Sequence, residues 1–253
     1  MLTHKMATVR LEPILYRVVK LTREGQAQHF IKCLHLRKSP QSFAYAAVKA
    51  LCIYGDIQTT TALEILQDCT GITSLAIWTL PNAEVSPIPE LMQEQVNTLP
   101  LRRLSLSVAS MFSTSPSFTT LDIARVITHL EILDGWVLWT VMIGIEKLTQ
   151  LTHLSLALNL QLSCPEHLQK ILNHCSNLKV LILRSPENQN DVNTWFKVHD
   201  IHDVRIVWTD ESSWWDWFSP SRNHRNTWDC GEDVVAWRRR MKGAYQDIQH
   251  IEC

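Results

Sequence analysis

One short hydrophobic pattern recurs along the chain: an aliphatic residue, two others, a second aliphatic residue, one other, and a third aliphatic residue. Seven clear copies lie at 48–53, 72–77, 101–106, 127–132, 151–156, 178–183 and 201–206, with a looser copy at 16–21. Their fourth residues follow one another at intervals of 23 to 29 residues: Leu51, Leu75, Leu104, Leu130, Leu154, Leu181 and Val204. This spacing is typical of leucine-rich repeats. It predicts short strands whose first, fourth and sixth residues point into a core.

Stretches with helical period separate these copies. One predicted helix face carries apolar residues spaced as i, i+3, i+4 and i+7, namely Ala27, Phe30, Ile31 and Leu34. The same spacing recurs at 62–69 and 168–175. Both stretches end in a cysteine, Cys69 or Cys175, three residues before the next copy begins. The sequence therefore predicts the same joint twice: a helix end, a short turn and a strand.

Alternating strands and helices predict an α/β fold, and the repeat favours an irregular leucine-rich-repeat-like solenoid. In such a solenoid the parallel strands line the concave side and the helices line the convex side. A doubly wound α/β domain also alternates strands and helices and is the alternative. The even strand pattern and the lack of a glycine-rich first turn favour the solenoid. Only the copy at 151–156 is followed by the asparagine of the consensus, Asn159, so we expect irregular curvature.

The composition changes after Val207, which predicts a solenoid over residues 1–207 and a Trp-rich capping segment over residues 208–253. Five of the ten tryptophans lie between Trp208 and Trp228. A polar loop then leads into a predicted terminal helix from Gly231 towards His250. A repeat array needs a terminal unit over its last core, so a cap is the first interpretation. An aromatic binding surface is the alternative, because Trp is enriched at interaction hot spots.

The net charge of −1 is unlike that of a dedicated nucleic-acid binder, which carries a strongly basic balance. The longest apolar run, at 135–145, is far shorter than the roughly 20 residues of a membrane-spanning helix. The amino terminus lacks the apolar core of a signal peptide. The seven cysteines are odd in number and scattered, which favours reduced thiols. We expect an intracellular protein, cytoplasmic or nuclear, that binds neither nucleic acid nor membranes.

Side chains suited to metal binding or catalysis occur in two clusters. The first combines Cys164, His167, His174 and Cys175, but Cys175 belongs to the apolar face of its helix and the paired spacing of a zinc site is missing. The second is the run HDIHD at 199–203, whose neighbouring residues alternate between two faces of a strand. No nucleotide-binding or hydrolase motif accompanies them. The sequence predicts no enzyme, no cofactor and no metal.

A binding surface is predicted from the strand positions that alternate away from the core, which are the third and fifth residues and the one after the last aliphatic. These positions hold Tyr54, Trp78, Arg103, His129, Glu131, His153, Arg184 and Arg205. We expect this concave side to be open for part of its length, because aromatic residues and arginine suit an interaction hot spot. Apolar residues on the same side indicate that the far end is covered by the Trp-rich segment: Val180, Ile182 and Val207. The expected partner is an unidentified protein, and the expected state is a monomer.

Three parts of the chain resemble basidiomycete F-box-like and leucine-rich-repeat proteins. EPILYRVVKL at 12–21 resembles the segment after the F-box, 62–77 and 99–108 resemble middle repeats, and GEDVVAWRRRMKG at 231–243 resembles the terminal helix. The resemblance covers nearly the whole chain. It implies the substrate receptor of a cullin-type ubiquitin ligase, in which the F-box binds the adaptor and the repeats bind the target. Only eleven residues precede Glu12, so we expect the target-binding half alone.

Three functions are therefore open. The first is a stand-alone, non-enzymatic module that binds a macromolecular partner through its repeat surface. The second is a ubiquitin-ligase receptor whose F-box is missing from this chain, which an upstream exon encoding an F-box would support. The third is an enzyme, which loss of turnover on changing His199 or Asp203 would support.

Overall fold

The computed structural model describes residues 11–79, 88–108, 118, 121–134, 144–210 and 226–241. These ranges contain eight strands: β1 (Val18–Leu21), β2 (Ala50–Gly55), β3 (Ser74–Thr79), β4 (Arg103–Leu106), β5 (His129–Ile132), β6 (His153–Ala157), β7 (Val180–Arg184) and β8 (Ile206–Thr209). They also contain seven longer helices: α1 (Glu24–His35), α2 (Pro40–Ala47), α3 (Thr59–Asp68), α4 (Ile88–Asn97), α5 (Pro165–His174), α6 (Gln189–Val198) and α7 (Thr227–Arg240). Residues 11–15 are helical, and short 3-10 helices lie at Asp122–Arg125 and Ile145–Lys147.

The chain forms two compact units, and in each unit four strands lie side by side in chain order. The first unit comprises residues 1–114 and 121–123, with β1 to β4, and the second comprises residues 115–120 and 124–253, with β5 to β8. Strand pairing within both units is parallel, so the expected parallel, sequential order is confirmed there. The protein is thus of mixed α/β class. The division falls elsewhere than the boundary at residue 207, which stays a prediction.

The core lies on the side of the strands that the aliphatic pattern predicts. The fourth residues of six copies are at most 1% exposed: Leu51, Leu75, Leu104, Leu130, Leu154 and Leu181. The predicted apolar face of α1 is buried at all four positions, and the corresponding faces of α3 and α5 are buried as well. Local periodicity is therefore sufficient to identify these core positions. Every helix in the described ranges is too short or too polar to cross a lipid bilayer.

The first six clear copies of the pattern each begin two residues before their strand. A repeated backbone contact accounts for this offset. The carbonyl oxygen just before one strand accepts two N–H groups of the next repeat, as Lys49 does from Thr73 at 2.9 Å and from Ser74 at 3.1 Å. The carbonyls of Arg17, Thr73, Thr128 and Thr152 make the same forked contact, with distances between 2.7 and 3.2 Å. The opening residues of each copy thus belong to a backbone joint, and the strand follows it.

The seventh copy, at 201–206, is displaced from its strand. Val204, predicted to point into the core, is 45% exposed, and β8 starts only at Ile206. Ile206 pairs with Leu181, so Ile206 and Trp208 take the two core positions of this repeat. The prediction for Val204 is wrong because residues 204–205 form a turn, in which Asp203 accepts the backbone N–H of Arg205 at 2.9 Å.

The two predicted helix–strand joints are equivalent in the structure. The N–H of Cys69 donates to Ile65 O, and the N–H of Cys175 donates to Ile171 O, both at 2.9 Å. Both thiols are buried and free. Cys230 differs from the expected reduced thiols, because it is disulfide-bonded. Cysteine number and spacing along a chain do not reveal which thiols approach each other in space.

Helix α7 begins at Thr227, four residues earlier than the predicted start at Gly231. The side chain of Asn226 caps it by accepting the N–H of Asp229 at 3.0 Å. Helix α6 is capped in the same way, because Asn188 accepts the N–H of Asp191 at 3.1 Å. An asparagine directly before the first helical residue is therefore a start signal that the apolar pattern alone misses. The predicted continuation towards His250 lies outside the described residues after Met241.

Candidate interaction surface

Three of the predicted binding residues lie on the non-core face of the first unit. Tyr54 is paired in register with Trp78, and their ring centroids are 6.4 Å apart. The indole N–H of Trp78 donates to Ser105 Oγ at 2.7 Å, and Trp78 is only 8% exposed. Tyr54 and Arg103 are half-buried. Trp78 is thus held by a buried hydrogen bond and offers little surface to a partner.

Two histidines of the second unit are stacked on each other. His129 and His153 are paired in register on β5 and β6, with parallel rings whose centroids are 4.1 Å apart. Trp228 of α7 packs edge-on against both rings, at 5.6 Å from each. Nε2 of His153 lies 3.1 Å from Oε1 of Glu232, one turn along α7. These predicted binding residues therefore hold the terminal helix in place.

The next row of this face carries a buried ion pair. Glu131 is 1% exposed, and its Oε1 lies 3.6 Å from Nε of Arg184. Arg184 also donates from Nε to Ser155 Oγ at 3.0 Å and from Nη2 to Ile132 O at 2.6 Å. Buried charges of this kind are stable only when they are paired and hydrogen-bonded. Glu131 and Arg184 accordingly tie strands β5, β6 and β7 together.

Arg205 lies away from the predicted surface. It precedes β8, and its guanidinium binds the carboxylate of Asp203 through Nε at 2.9 Å and Nη2 at 2.7 Å. Nη2 also donates to Leu172 O at 2.7 Å, close to the end of α5. The hydrogen bonds that Arg205 donates to Asp203 raise the pKa of Arg205. Strand alternation does not apply to Arg205 because it belongs to the turn before the strand.

Helix α7 covers the apolar end of this face, as predicted from Val180, Ile182 and Val207. These three side chains form one cluster with Trp228, Cys230 and Val235. Gly231 faces Val180 so closely that a Cβ atom there would lie 2.9 Å from Val180 Cγ1. At the other end of α7, the buried Arg238 donates through Nη1 to Ile206 O and Val204 O. Burial lowers the pKa of Arg238.

The expected open concave side is therefore not found at the predicted residues. Three of the eight are buried and the other five are half-buried. Polar residues are present on this face because they bond to neighbouring strands and to α7. Residue types alone do not show whether such polar side chains bond within the chain or to another protein. The role of the eight residues in binding stays a prediction.

An exposed aliphatic segment, which we call the entry segment, lies at 11–18 and for the most part precedes the looser copy of the pattern at 16–21. Four large side chains there are between 40% and 74% exposed: Leu11, Ile14, Leu15 and Val18. The segment ends in β1, and no other strand in the described ranges pairs with the outer edge of β1. A groove of about 390 Å³ adjoins it, lined by Tyr16 and by residues of α1, among them Phe30 and Cys33. The looser copy of the pattern begins at Tyr16, so it gives no information on the exposure of Leu11, Ile14 and Leu15.

The entry segment is fixed to the first unit by one ion pair and by aromatic packing. Arg37 donates to both carboxylate oxygens of Glu12 at 3.0 Å. These hydrogen bonds lower the pKa of Glu12. The guanidinium of Arg37 lies 3.6 Å from the ring centroid of Phe43, and Tyr16 packs edge-on against Phe43 at 5.3 Å. Glu12 and Tyr16 therefore face the unit, while the four aliphatic side chains remain exposed.

Basic residues surround β1, whereas the nearby carboxylates are engaged. Arg17, Lys20 and Arg23 are exposed before, within and after the strand. Glu24 accepts hydrogen bonds from Thr61 Oγ1, Gln28 Nε2 and the N–H of Gln58 at 2.7 to 3.0 Å. Burial alone would raise the pKa of Glu24, but these hydrogen bonds outweigh it and lower the pKa. The edge of the first unit is thus positively charged as well as apolar.

The two clusters considered for chemistry do not converge in the structure. Among the described residues, no group of three or more His, Cys, Asp or Glu side chains is arranged to hold a metal ion. Cys164 Sγ donates to Glu166 at 2.8 Å, and Cys175 Sγ contacts Ile145 O at 3.6 Å. In the run 199–203, Asp203 is bound to Arg205, and Asp200 ends α6 with a φ of 52°. These contacts are structural.

No family model matches this chain, and no curated protein matches it. The architecture therefore defines only the class, an α/β protein with parallel strands in sequential order.

Proposed function

We propose that the chain is a non-enzymatic protein-interaction module of leucine-rich-repeat type, which binds a protein partner at its entry segment. The observation that carries this proposal is the exposure of Leu11, Ile14, Leu15 and Val18 within eight residues of an edge strand. Contiguous exposed aliphatic surface of this kind marks interaction sites, because leaving it in water is costly. Half-buried Tyr54 borders this surface through Lys20, whose Nζ lies 5.9 Å from the Tyr54 ring centroid.

The leucine-rich-repeat type is supported by three features that recur together. The copies follow at intervals of 23 to 29 residues, the strands are parallel within each unit, and the forked carbonyl joint occurs at five repeat boundaries, although not between β7 and β8. Asn159 departs from this type, because it is exposed and its Oδ1 accepts the N–H groups of Gln161 and Leu162. Such proteins present a surface for macromolecular partners.

We further propose a monomer that acts in the cytoplasm or nucleus without a cofactor and without binding nucleic acid or membranes.

Site-specific photo-crosslinking in cells tests the proposed surface. A photoreactive amino acid replaces Leu15, which is 74% exposed, and in a matched control it replaces Val198, which is 73% exposed in the second unit. We expect one dominant protein adduct from position 15 and none of that mass from position 198. Ile14→Asp should abolish the adduct, because a charge in the apolar contact is not compensated. Equal adduct patterns at both positions would refute the proposed surface.

A second candidate is the substrate receptor of a cullin-type ubiquitin ligase. It is favoured by one observation: the passage that resembles the segment after an F-box, at 12–21, overlaps the entry segment. An F-box joined ahead of it would cover those aliphatic side chains. Affinity purification from native cells distinguishes the two functions. Co-purification of the adaptor and the cullin supports the receptor, and a partner set without either supports the stand-alone module.

A further inference from the structure

The outer edge of β1 has the backbone geometry to receive an additional strand. Arg17 O accepts the N–H groups of Lys49 and Ala50, both at 3.0 Å, so the peptide groups of Arg17 face β2. Backbone groups of successive strand residues point to opposite sides. Those of Val18 and Lys20 therefore point away from β2, towards the outer edge. An extended segment from a partner can hydrogen-bond to such an edge.

Charge at this edge selects the kind of segment. Arg17 and Arg23 are exposed and form no ion pair within the described part of the chain, and Lys20 is exposed between them. Of the two acids nearest in sequence, Glu12 is paired with Arg37, whereas Glu24 accepts a hydrogen bond from the neutral Thr61 and keeps its charge, so the three cations outnumber it. Carboxylates on an incoming strand would meet these cations, and charge-assisted contacts are stronger than neutral ones. An acidic strand is complementary to this edge.

The same charges disfavour a second copy of this chain as the occupant. Two copies of β1 paired edge to edge in antiparallel fashion would place Lys20 near Lys20 and Arg17 near Arg23. Like charges directly opposite each other destabilise a strand pair. Lysine on an edge strand is a common protection against self-association for this reason. This register of self-pairing is therefore disfavoured, whereas a partner of opposite charge meets no such repulsion.

We propose that the edge of β1 binds an extended, acidic segment of a partner protein as an added strand, with alternate apolar residues packed on Val18 and Ile14. This inference rests on the proposed function and identifies the partner's chemistry. Backbone hydrogen bonds to Val18 and Lys20 supply affinity. Carboxylates of the segment bind Arg17, Lys20 and Arg23 and supply selectivity. The aliphatic side chains of the entry segment exclude water from the contact.

Fluorescein-labelled peptides of defined composition test this assignment by fluorescence anisotropy with the full chain. One probe alternates valine with glutamate, and the comparison probe alternates valine with lysine. We expect the glutamate probe to bind and the lysine probe to bind at least about tenfold more weakly. Raising the salt concentration should weaken binding of the glutamate probe, because salt screens exposed charges. Equal binding of the two probes, or no binding of the glutamate probe, would overturn the inference.

Matched variants locate the probe on the protein. Arg17→Glu combined with Arg23→Glu should lower the affinity for the glutamate probe by about tenfold or more. The control combines Arg239→Glu and Arg240→Glu, two exposed arginines of α7, and should leave binding unchanged. A glutamate probe with an N-methylated backbone at every residue should not bind if it would otherwise pair as a strand, because neither edge of the probe then keeps an N–H donor. Unchanged binding of the methylated probe, or equal loss in both charge variants, contradicts strand addition at β1.

The outcome separates this inference from the proposed function. A dominant adduct at position 15 together with no preference for the glutamate probe would keep the interaction module and reject the acidic strand. Loss of the adduct and of probe binding together would reject both. The proline variant Val18→Pro adds a direct readout, because it removes a donor on the outer side without removing one that faces β2. It should abolish probe binding while the far-ultraviolet circular dichroism stays that of the unaltered chain.

Discussion

Cys69 and Cys175 close the same joint in two different repeats, and burial governs their chemistry. Burial, with a contribution from Asp68, raises the pKa of Cys69 to about 12, and burial, with a contribution from Glu146, raises the pKa of Cys175 to about 11. A thiol reacts as its thiolate, so both side chains are chemically inert at neutral pH. They fill the joint as small apolar groups. Each of these cysteines precedes the next copy of the pattern by three residues because the joint needs a small apolar side chain at that position.

Alkylation rates should separate these thiols from the accessible ones. With iodoacetamide at neutral pH, we expect Cys69 and Cys175 to react far more slowly than Cys33, which is half-buried on α1. Peptide mapping by mass spectrometry at several reaction times measures the three rates. Mild denaturation provides the control, since it should bring the rates together. Equal rates in the folded protein would show that the joints are open.

Two glycines provide a test of packing at single residues. Gly231→Ala places a methyl group 2.9 Å from Val180 Cγ1, and Val180 is itself fully buried and stiff. We expect a loss of about 1–3 kcal/mol in the free energy of unfolding of the second unit. Gly25→Ala is the matched control, because nothing lies within 4 Å of its Cβ position. It should stabilise α1 by about 0.5–1 kcal/mol. Urea unfolding monitored by circular dichroism distinguishes the two, and destabilisation by both would contradict the packing argument.

At the scale of the element, α7 shows how one helix can occupy a surface that looks available in the sequence. Trp228 packs on His129 and His153, Glu232 contacts His153, and Val235 joins the cluster around Val180. Asn226 caps the start of the helix by accepting the N–H of Asp229. Each contact is weak alone, but together with Val207 of the same cluster they fix the helix on four strands, β5 to β8. Docking of α7 therefore depends on a few identifiable side chains.

Trp228→Ala should loosen this helix specifically. The change removes two aromatic contacts and leaves a cavity over the histidine pair, at an expected cost of about 3–5 kcal/mol in local stability. Hydrogen exchange measured by mass spectrometry should show faster exchange over Thr227–Arg240, with β2 and β3 unaffected. Ala236→Ser, at an exposed position of the same helix, is the control and should leave exchange unchanged. Protection that persists in Trp228→Ala would mean that the other contacts suffice.

Removing α7 should destabilise the second unit. A chain that ends at Asp210 retains β8 but exposes Val180, Ile182 and Val207 to water. We expect increased binding of the dye ANS and concentration-dependent aggregation, because a contiguous apolar face of a sheet is then left uncovered. Analytical ultracentrifugation measures the aggregation. A monomeric truncated chain of unchanged stability would identify the segment after Asp210 as an appendage, and would favour its tryptophans as a binding surface.

For the whole molecule, sequence patterns predict what is local and miss what depends on contacts between distant segments. Leu51, Leu75 and Leu104 could be identified as core because a strand's two sides alternate along its own residues. Val204 could not, because a turn fixed by Asp203 displaces the strand from the apolar pattern. The burial of Glu131 and His153 depends on Arg184 and α7, which are far away in sequence. The exposure of Leu15 likewise depends on the arrangement of distant segments, because none of them covers its side chain.

The forked carbonyl joint gives the protein a simple route to change in evolution. Each joint is built on main-chain atoms, and the hydroxyls of Thr73 and Thr152 also donate to the joint carbonyls of Lys49 and Thr128. The residues that provide the carbonyl are of three kinds: Arg17, Lys49, Thr73, Thr128 and Thr152. A duplicated stretch of gene that encodes one strand and its helix would carry a complete joint with it. It could be inserted between two neighbours without any new side-chain match at the splice. Chain length in descendants of this protein is therefore expected to vary in steps of one repeat.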